Sequence, residues 1–288
     1  MSAIFGVAGN SDTFTNTVSK SSAKAPAWLK RIGLDAYEYQ CGKGVHVGEA
    51  TAREIGLNAR SAGIVLSLHA PYFINLANPD PESLQKTIGY ITGACRVADW
   101  MGARRVIIHS GALMKRTRRE ALDIAKQSLL AVLRDCDDAG YSHMTLCPET
   151  MGKINQLGDL EEVLELCTLD ERLVPCIDFG HLYARSIGAL EGEQACEEML
   201  DRVEQVLGRD RAQYFHSHFS HIEFTPKGGE SRHVCFKDDV WSPDFTPLAK
   251  AVARRGWSPT FICESAGTQS EDALEMKEIY TQQEASLL

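Results

Sequence analysis

An α/β fold, a single-domain (β/α)8 TIM barrel, is predicted by three observations. Short β-branched or apolar runs recur along the chain, a helical pattern follows almost every one, and no linker, internal repeat or low-complexity tract breaks the alternation over 288 residues. Unbroken alternation implies parallel βαβ units, and eight of them match one barrel, expected to span residues 1–288. An open doubly wound sheet is the alternative. In order, the strands are expected at Ala3–Val7, Ala36–Tyr39, Ile64–Leu68, Arg105–Ile108, Met144–Cys147, Val174–Ile177, Ala212–Phe219 and Thr260–Cys263. Amphipathic stretches follow near 20–31, 48–62, 81–101, 118–139, 158–168, 191–207, 244–254 and 270–284. The longest irregular stretch, a loop at about 220–243 with Pro226, Gly228 and Gly229, is long enough inside a compact domain to be read as part of the site.

Composition narrows the class. With 44% hydrophobic and 24% charged residues the chain is neither disordered nor fibrous. No Lys or Arg precedes the apolar residues of the first nineteen positions, so no secretory signal is expected. The longest weakly charged apolar run, Ile64–Ala77, contains His69, Pro71 and Asn75 and is too short to cross a bilayer; no membrane partner is expected. Nine scattered cysteines without a CxxC pair read as reduced thiols, which points to the cytoplasm. A net charge of −9 means that any polyanion must be held locally.

Chemistry in such a barrel sits at the C-terminal ends of the strands. There the sequence places His69, His109, Glu149, Asp178 and Glu264, with His181 three residues past Asp178 and with His216 and His218 on one face of strand seven. Any one of these alone is more often a hydrogen-bonded structural residue. Together they would repel and resist desolvation unless cations neutralise them, so a multinuclear metal site is expected. Mixed imidazole and carboxylate ligation without thiolate favours zinc, with manganese or iron next.

The run Leu68-His69-Ala70-Pro71-Tyr72-Phe73-Ile74-Asn75-Leu76-Ala77-Asn78-Pro79, with Ile108-His109-Ser110-Gly111, Pro148-Glu149-Thr150, Cys176-Ile177-Asp178-Phe179-Gly180-His181 and Cys263-Glu264-Ser265, resembles the endonuclease IV family of apurinic/apyrimidinic endonucleases. The resemblance implies a (β/α)8 barrel binding two to three zinc ions and cleaving double-stranded DNA 5′ to abasic sites, in base excision repair. It implies His69, His109 and Glu149 around a first metal. Glu149, Asp178, Glu264 and a strand-seven histidine would surround a second, with Glu149 bridging and carrying the catalysis. His181 and His233 would contribute to a third. On strand seven His218 suits the ligand role better, and His216 then becomes an inward partner. Tyr72 and Phe73 fall where the family pushes side chains into the duplex; the bland reading is that they pack the loop onto the barrel top. The protein is expected to work as a monomer.

Two departures stand out. Where the family has an Asp two residues before the loop histidine, this chain has Ser231, with Glu230 adjacent; displaced by one residue, Glu230 can restore the charge only if its longer side chain points inward. The Asn-Asp after the strand-seven histidine is replaced by Ser220-His221, and Lys43 stands in the loop after strand two where the family inserts an Arg. Lys115, Arg116, Arg118 and Arg119, with Lys227, Arg232 and Lys237, are candidate phosphate contacts, although such runs are usually solvated helix starts. Two other functions compete. A divalent-metal sugar isomerase or epimerase would use Glu149, Asp178, His218 and Glu264 but has no need of His69 and His109. A non-catalytic metal or nucleic-acid binding protein would need no vacant coordination position.

Overall fold

A computed structural model describes residues 2–238 and 240–287; positions 1 and 288 of the expected domain and position 239 of the expected loop lie outside the described residues. Eight parallel strands close into a barrel: β1 (Ile4–Ala8), β2 (Ala36–Gln40), β3 (Val65–His69), β4 (Arg105–His109), β5 (Thr145–Glu149), β6 (Cys176–Asp178), β7 (His216–Phe219) and β10 (Thr260–Cys263). An antiparallel hairpin of β8 (His221–Thr225) and β9 (Gly229–Val234) lies between β7 and the next helix. β1 pairs with both β2 and β10, so no barrel edge is left open. The eight helical stretches expected from periodicity appear as Ala25–Ile32, Glu49–Ala62, Pro81–Met101, Arg118–Asp138, Leu160–Cys167, Gly192–Leu207, Thr246–Arg255 and Gln269–Ala285.

Local chemistry explains where these helices start. Thr117 and Glu120, and again Asp159 and Glu162, form reciprocal capping boxes, so the first free N–H groups of both helices find side-chain acceptors. The helices bury one apolar stripe each against the outer face of the strands, as Ile91, Ala94, Cys95 and Ala98 do in Pro81–Met101. Each fully buried Leu or Ile there contributes about 1.5–3 kcal/mol. Eight of the nine cysteines are buried among these layers and all nine are free thiols.

Two expectations are corrected. The stretch 220–243 is irregular only in part: its first half, around Gly228-Gly229, folds as the β8–β9 hairpin. Strand seven starts at His216 rather than Ala212, because Arg209–Ala212 forms a short helical turn instead. No helix among the described residues is long and apolar enough to cross a membrane.

The period of two sorts the interior. Inward from the C-terminal end come His69, His109, Glu149 and Asp178; a layer below lie Glu38, Ser67, Ile107, Cys147, Cys176 and His218; at the N-terminal end lie Ala36, Arg105, His216 and Thr260. The middle layer is half apolar, with Ile107, Cys147 and Cys176 packed together, and half polar.

Candidate metal centre

Glu149, at the end of β5, is the hub of the mouth. Its Oε2 lies 3.1 Å from His69 Nε2 and 3.2 Å from His109 Nε2, and its Oε1 lies 3.0 Å from His218 Nδ1. Burial alone would raise its pKa, but the His218, His109 and His69 imidazoles hold it well below the usual carboxylate range. The carboxylate is ionised in a nearly inaccessible place. Asp178, Glu264, His218 and Glu149 bring ligand atoms within 4.8 Å of one another.

The imidazoles are held as metal-binding histidines are held. His69 Nδ1 donates to the Ala70 carbonyl at 2.7 Å, His109 Nδ1 to the Tyr72 carbonyl at 2.8 Å, and His181 Nδ1 to the Thr150 carbonyl at 2.9 Å. A carbonyl can only accept, so in each neutral ring Nε2 is the bare nitrogen, and it faces the mouth. His218 is arranged in reverse. Its Nε2 bonds Glu38 Oε1 at 2.9 Å, leaving Nδ1 towards Glu149 and 3.5 Å from Glu264.

Asp178 divides its two oxygens. Oδ1 caps the helix Phe179–Arg185 by accepting from the His181 N–H at 2.7 Å, while Oδ2 is buried without a hydrogen bond. An ionisable oxygen bared in this way inside a ring of imidazoles suits a cation. Without one, burial is the largest influence on Asp178 and raises its pKa, with Glu264 adding to the rise.

A second group of donors stands beside the first. His181, Glu230 and His233 also place ligand atoms within 4.8 Å of one another, with His181 Nε2 3.5 Å from Glu230 Oε2. Glu230 thus points inward, which is the condition under which it could stand in for the missing Asp. In the β8–β9 ladder Glu223 faces Arg232 while Phe224 faces Glu230, so Ser231 is the extra residue of a β-bulge. The bulge turns Glu230 and His233, three apart in sequence, to one side of the hairpin. Backbone bonds between the hairpin and the loop after β5, Glu230 N–H to Gly152 O and Ile154 N–H to Gly228 O, both at 3.1 Å, hold it over the mouth. A Cβ on Gly152 would stand 2.6 Å from the Glu230 Cβ, so the close approach requires glycine.

One important residue carried no expectation. Glu38, in the middle of β2, accepts from His216 Nε2 at 2.9 Å, from Ser67 at 2.8 Å and from His218, and is fully buried. Its pKa is raised by burial yet ends well below the ordinary value, because His218 and His216 oppose that effect. His216, expected with the metal ligands, lies two layers below the mouth, where its ligand atoms group with those of Cys176 and His218 rather than with the clusters around Glu149 or Glu230. Among strand residues, a lone Glu between two tyrosines was the available signal: in a barrel strand covered on both faces, a carboxylate must find partners inside.

The mouth opens as a cavity of about 300 Å³ lined by His69, His109, Glu149, His181, Glu230 and Glu264, with Tyr72 and Lys153 on its rim. Tyr72 and Phe73 are 53% and 43% exposed, and Phe73 rests edge-on against Tyr90. The loop bearing them is fixed by Asn75, whose Oδ1 accepts the Ala77 and Ala112 N–H groups at 3.1 Å each. Three of the candidate phosphate contacts are engaged elsewhere: Arg118 with Glu162, Arg119 with Asp123 and Arg232 with Glu223. Lys43 is exposed.

A closed barrel with two groups of imidazole and carboxylate donors at the C-terminal mouth defines a class, and comparison gives the family. Residues 26–282 match the family model for AP endonuclease family 2, described as a xylose isomerase-like TIM barrel, and the chain belongs to this family. An uncharacterized protein of Methanocaldococcus jannaschii is 33% identical over 95% of this chain and 96% of its own. A probable endonuclease 4 of Mycoplasma genitalium is 32% identical over 45% of this chain and 44% of its own. Among solved structures, a D-tagatose 3-epimerase-like protein superposes with a TM-score of 0.72 at 18% identity, over 98% of both chains. Endonuclease IV from Thermus thermophilus superposes with a TM-score of 0.69 at 16% identity, over 99% of this chain and 100% of its own. The two structures show the shared fold and do not choose between a nuclease and an epimerase. The resemblance drawn from the motifs is confirmed at the level of the family.

Proposed function

We propose that the protein is a metal-dependent phosphodiesterase that incises double-stranded DNA 5′ to abasic sites, in the manner of endonuclease IV. The observation that carries the reading is the second donor group. An epimerase-type site needs only Glu149, Asp178, His218 and Glu264, whereas His69, His109, His181, Glu230 and His233 extend this mouth into a groove able to hold two to three ions.

In this reading His69, His109 and Glu149 would hold one divalent ion of the zinc class. A second would be held by Glu149, Asp178, His218 and Glu264, and a third by His181, Glu230 and His233. Bound there, such ions would supply Lewis-acid charge against the phosphodiester oxygens and a nucleophile at neutral pH. The chain itself positions and shields. Glu149 fixes the spacing of the two donor groups, Glu38 orients His218, and the exposed Tyr72 and Phe73 fill the space left by a displaced nucleotide. Lys153, on the rim, is placed for a backbone phosphate.

The test sets the two family chemistries side by side. The metal-loaded protein is incubated in parallel with a duplex carrying one abasic analogue and with a panel of ketohexoses. Incision of the duplex without sugar conversion is expected. Epimerised sugar and an intact duplex would assign the site to the alternative reading.

A further inference from the structure

At the opposite, N-terminal end of the barrel lies a second cavity of about 340 Å³, comparable in size to the mouth and opposite to it in charge. It is ringed by the first residues of the strands, among them Ile4, Val65, Arg105, His216 and Thr260. Arg60, from the helix Glu49–Ala62, and Arg104 join Arg105 on its wall, and no acidic side chain is found among the described residues that line it. In a chain of net charge −9 this is a local reversal of sign.

The arginines are poorly spent on the protein itself. Among the described residues neither Arg60 nor Arg104 has an ion-pair partner, in contrast to Arg118, Arg119, Arg172 and Arg202 on other faces. Arg105 donates Nη2 to the Tyr214 carbonyl at 2.6 Å, but its Nη1 is buried without a partner. At the floor, His216 is fully buried and its Nδ1 also lacks a partner. Its Nε2–H is committed to Glu38, so Nδ1 is a bare acceptor. Just behind the cavity wall thus lie one unmet buried donor and one unmet buried acceptor, a combination native interiors rarely leave open. The remaining wall is apolar, with Ala36, Ile64, Leu66 and Met101.

We propose that this cavity is a second ligand site, for an organic anion: an apolar body bearing a carboxylate or phosphate group. The anionic group lies against Arg60, Arg104 and Arg105, bidentate on a guanidinium fork as such groups bind. The bonds from His216 through Glu38 to His218 join this site to the mouth along the barrel axis.

The test is calorimetric titration of the metal-loaded protein with benzoate, phenyl phosphate and, as a neutral control, benzyl alcohol. One equivalent of at least one anion is expected to bind, with benzyl alcohol at least about tenfold weaker. The double substitution Arg60→Gln with Arg104→Gln, at exposed positions where the fold is preserved, is expected to weaken the anion at least about tenfold, as thermal unfolding confirms its integrity. The variant Glu264→Gln, at the far mouth, is expected to bind as tightly as the parent. Absence of saturable anion binding, equal binding of the neutral control, or an affinity untouched by the arginine substitutions overturns the proposal. So does a loss seen only in Glu264→Gln, which would locate the anion at the metal centre.

Discussion

Glu230 Oε2 lies 3.5 Å from His181 Nε2, although the two side chains come from a hairpin and a strand-capping helix that share no ladder. The bulge at Ser231 produces this meeting, and it restores a carboxylate to a group that would otherwise be a neutral histidine pair. Glu230→Gln is therefore expected to cost about one metal ion per chain on dialysis, while Ser231→Ala, on an exposed bulge residue, leaves retention unchanged. Elemental analysis after dialysis reads both. Loss in the serine variant with retention in the glutamine variant would reverse the assignment.

Glu149→Gln removes charge at the hub without removing volume. Incision is expected to fall by a factor of about 100 or more, with circular dichroism and the folded-state yield unchanged. Near-parental turnover in a well-folded variant would take Glu149 out of the mechanism.

Glu38 is the middle link of the interior column, and both imidazoles it serves are buried with it. Glu38→Gln leaves those rings without their anionic partner. The expected loss is about 3 kcal/mol or more of unfolding free energy, read from denaturant midpoints. A change within the noise of the measurement would mean that the column is held by packing alone.

Removing the metals exposes opposite pH dependences. In the metal-free chain, burial lowers the His181 pKa, but Asp178, Glu230, Glu149 and Glu264 outweigh burial and take it up to about 9. Its contribution to stability is complete below the ordinary imidazole value of about 6.5 and is lost as the pH rises through about 9. His216 behaves in the other sense. Burial, only partly offset by Glu38, pushes it down to about 4, so its contribution is complete above about 6.5 and lost as the pH falls through about 4. Urea midpoints of the chelator-stripped protein should therefore fall on both sides of about pH 6.5, with His216→Gln flattening the acid side only.

The aromatic pair on the rim gives a prediction of a different kind. Tyr72→Ala with Phe73→Ala is expected to weaken binding to abasic duplex much more than to single strands, since a wedge matters only where a stack must be opened. Equal losses on both would mark these side chains as loop packing.

What was legible in the sequence follows from geometry. Strand ends are marked by an apolar run that stops at a histidine or carboxylate, so His69, His109, Glu149, Asp178 and Glu264 could be read directly. Glu38 could not be read as an end, because it lies two residues below the top of β2, where the pleat alone decides that it faces inward. The alignment of Glu230 with His233 was hidden for another reason. Three residues apart on a regular strand they would face opposite ways, and only the bulge, a property of pairing with β8, reverses that. Arg118 and Arg119, candidate phosphate contacts in the sequence, pair with Glu162 of the neighbouring helix and with Asp123 four residues on, and only the second of these partners follows from sequence spacing.

The central claim is best tested by mapping the cut on a duplex with one abasic analogue, using the metal-loaded protein and sequencing-resolution gels. The account predicts a single break immediately 5′ to the lesion, leaving a 3′-hydroxyl that a polymerase extends. An intact strand, or a break on the 3′ side of the lesion with an end that cannot be extended, would contradict it.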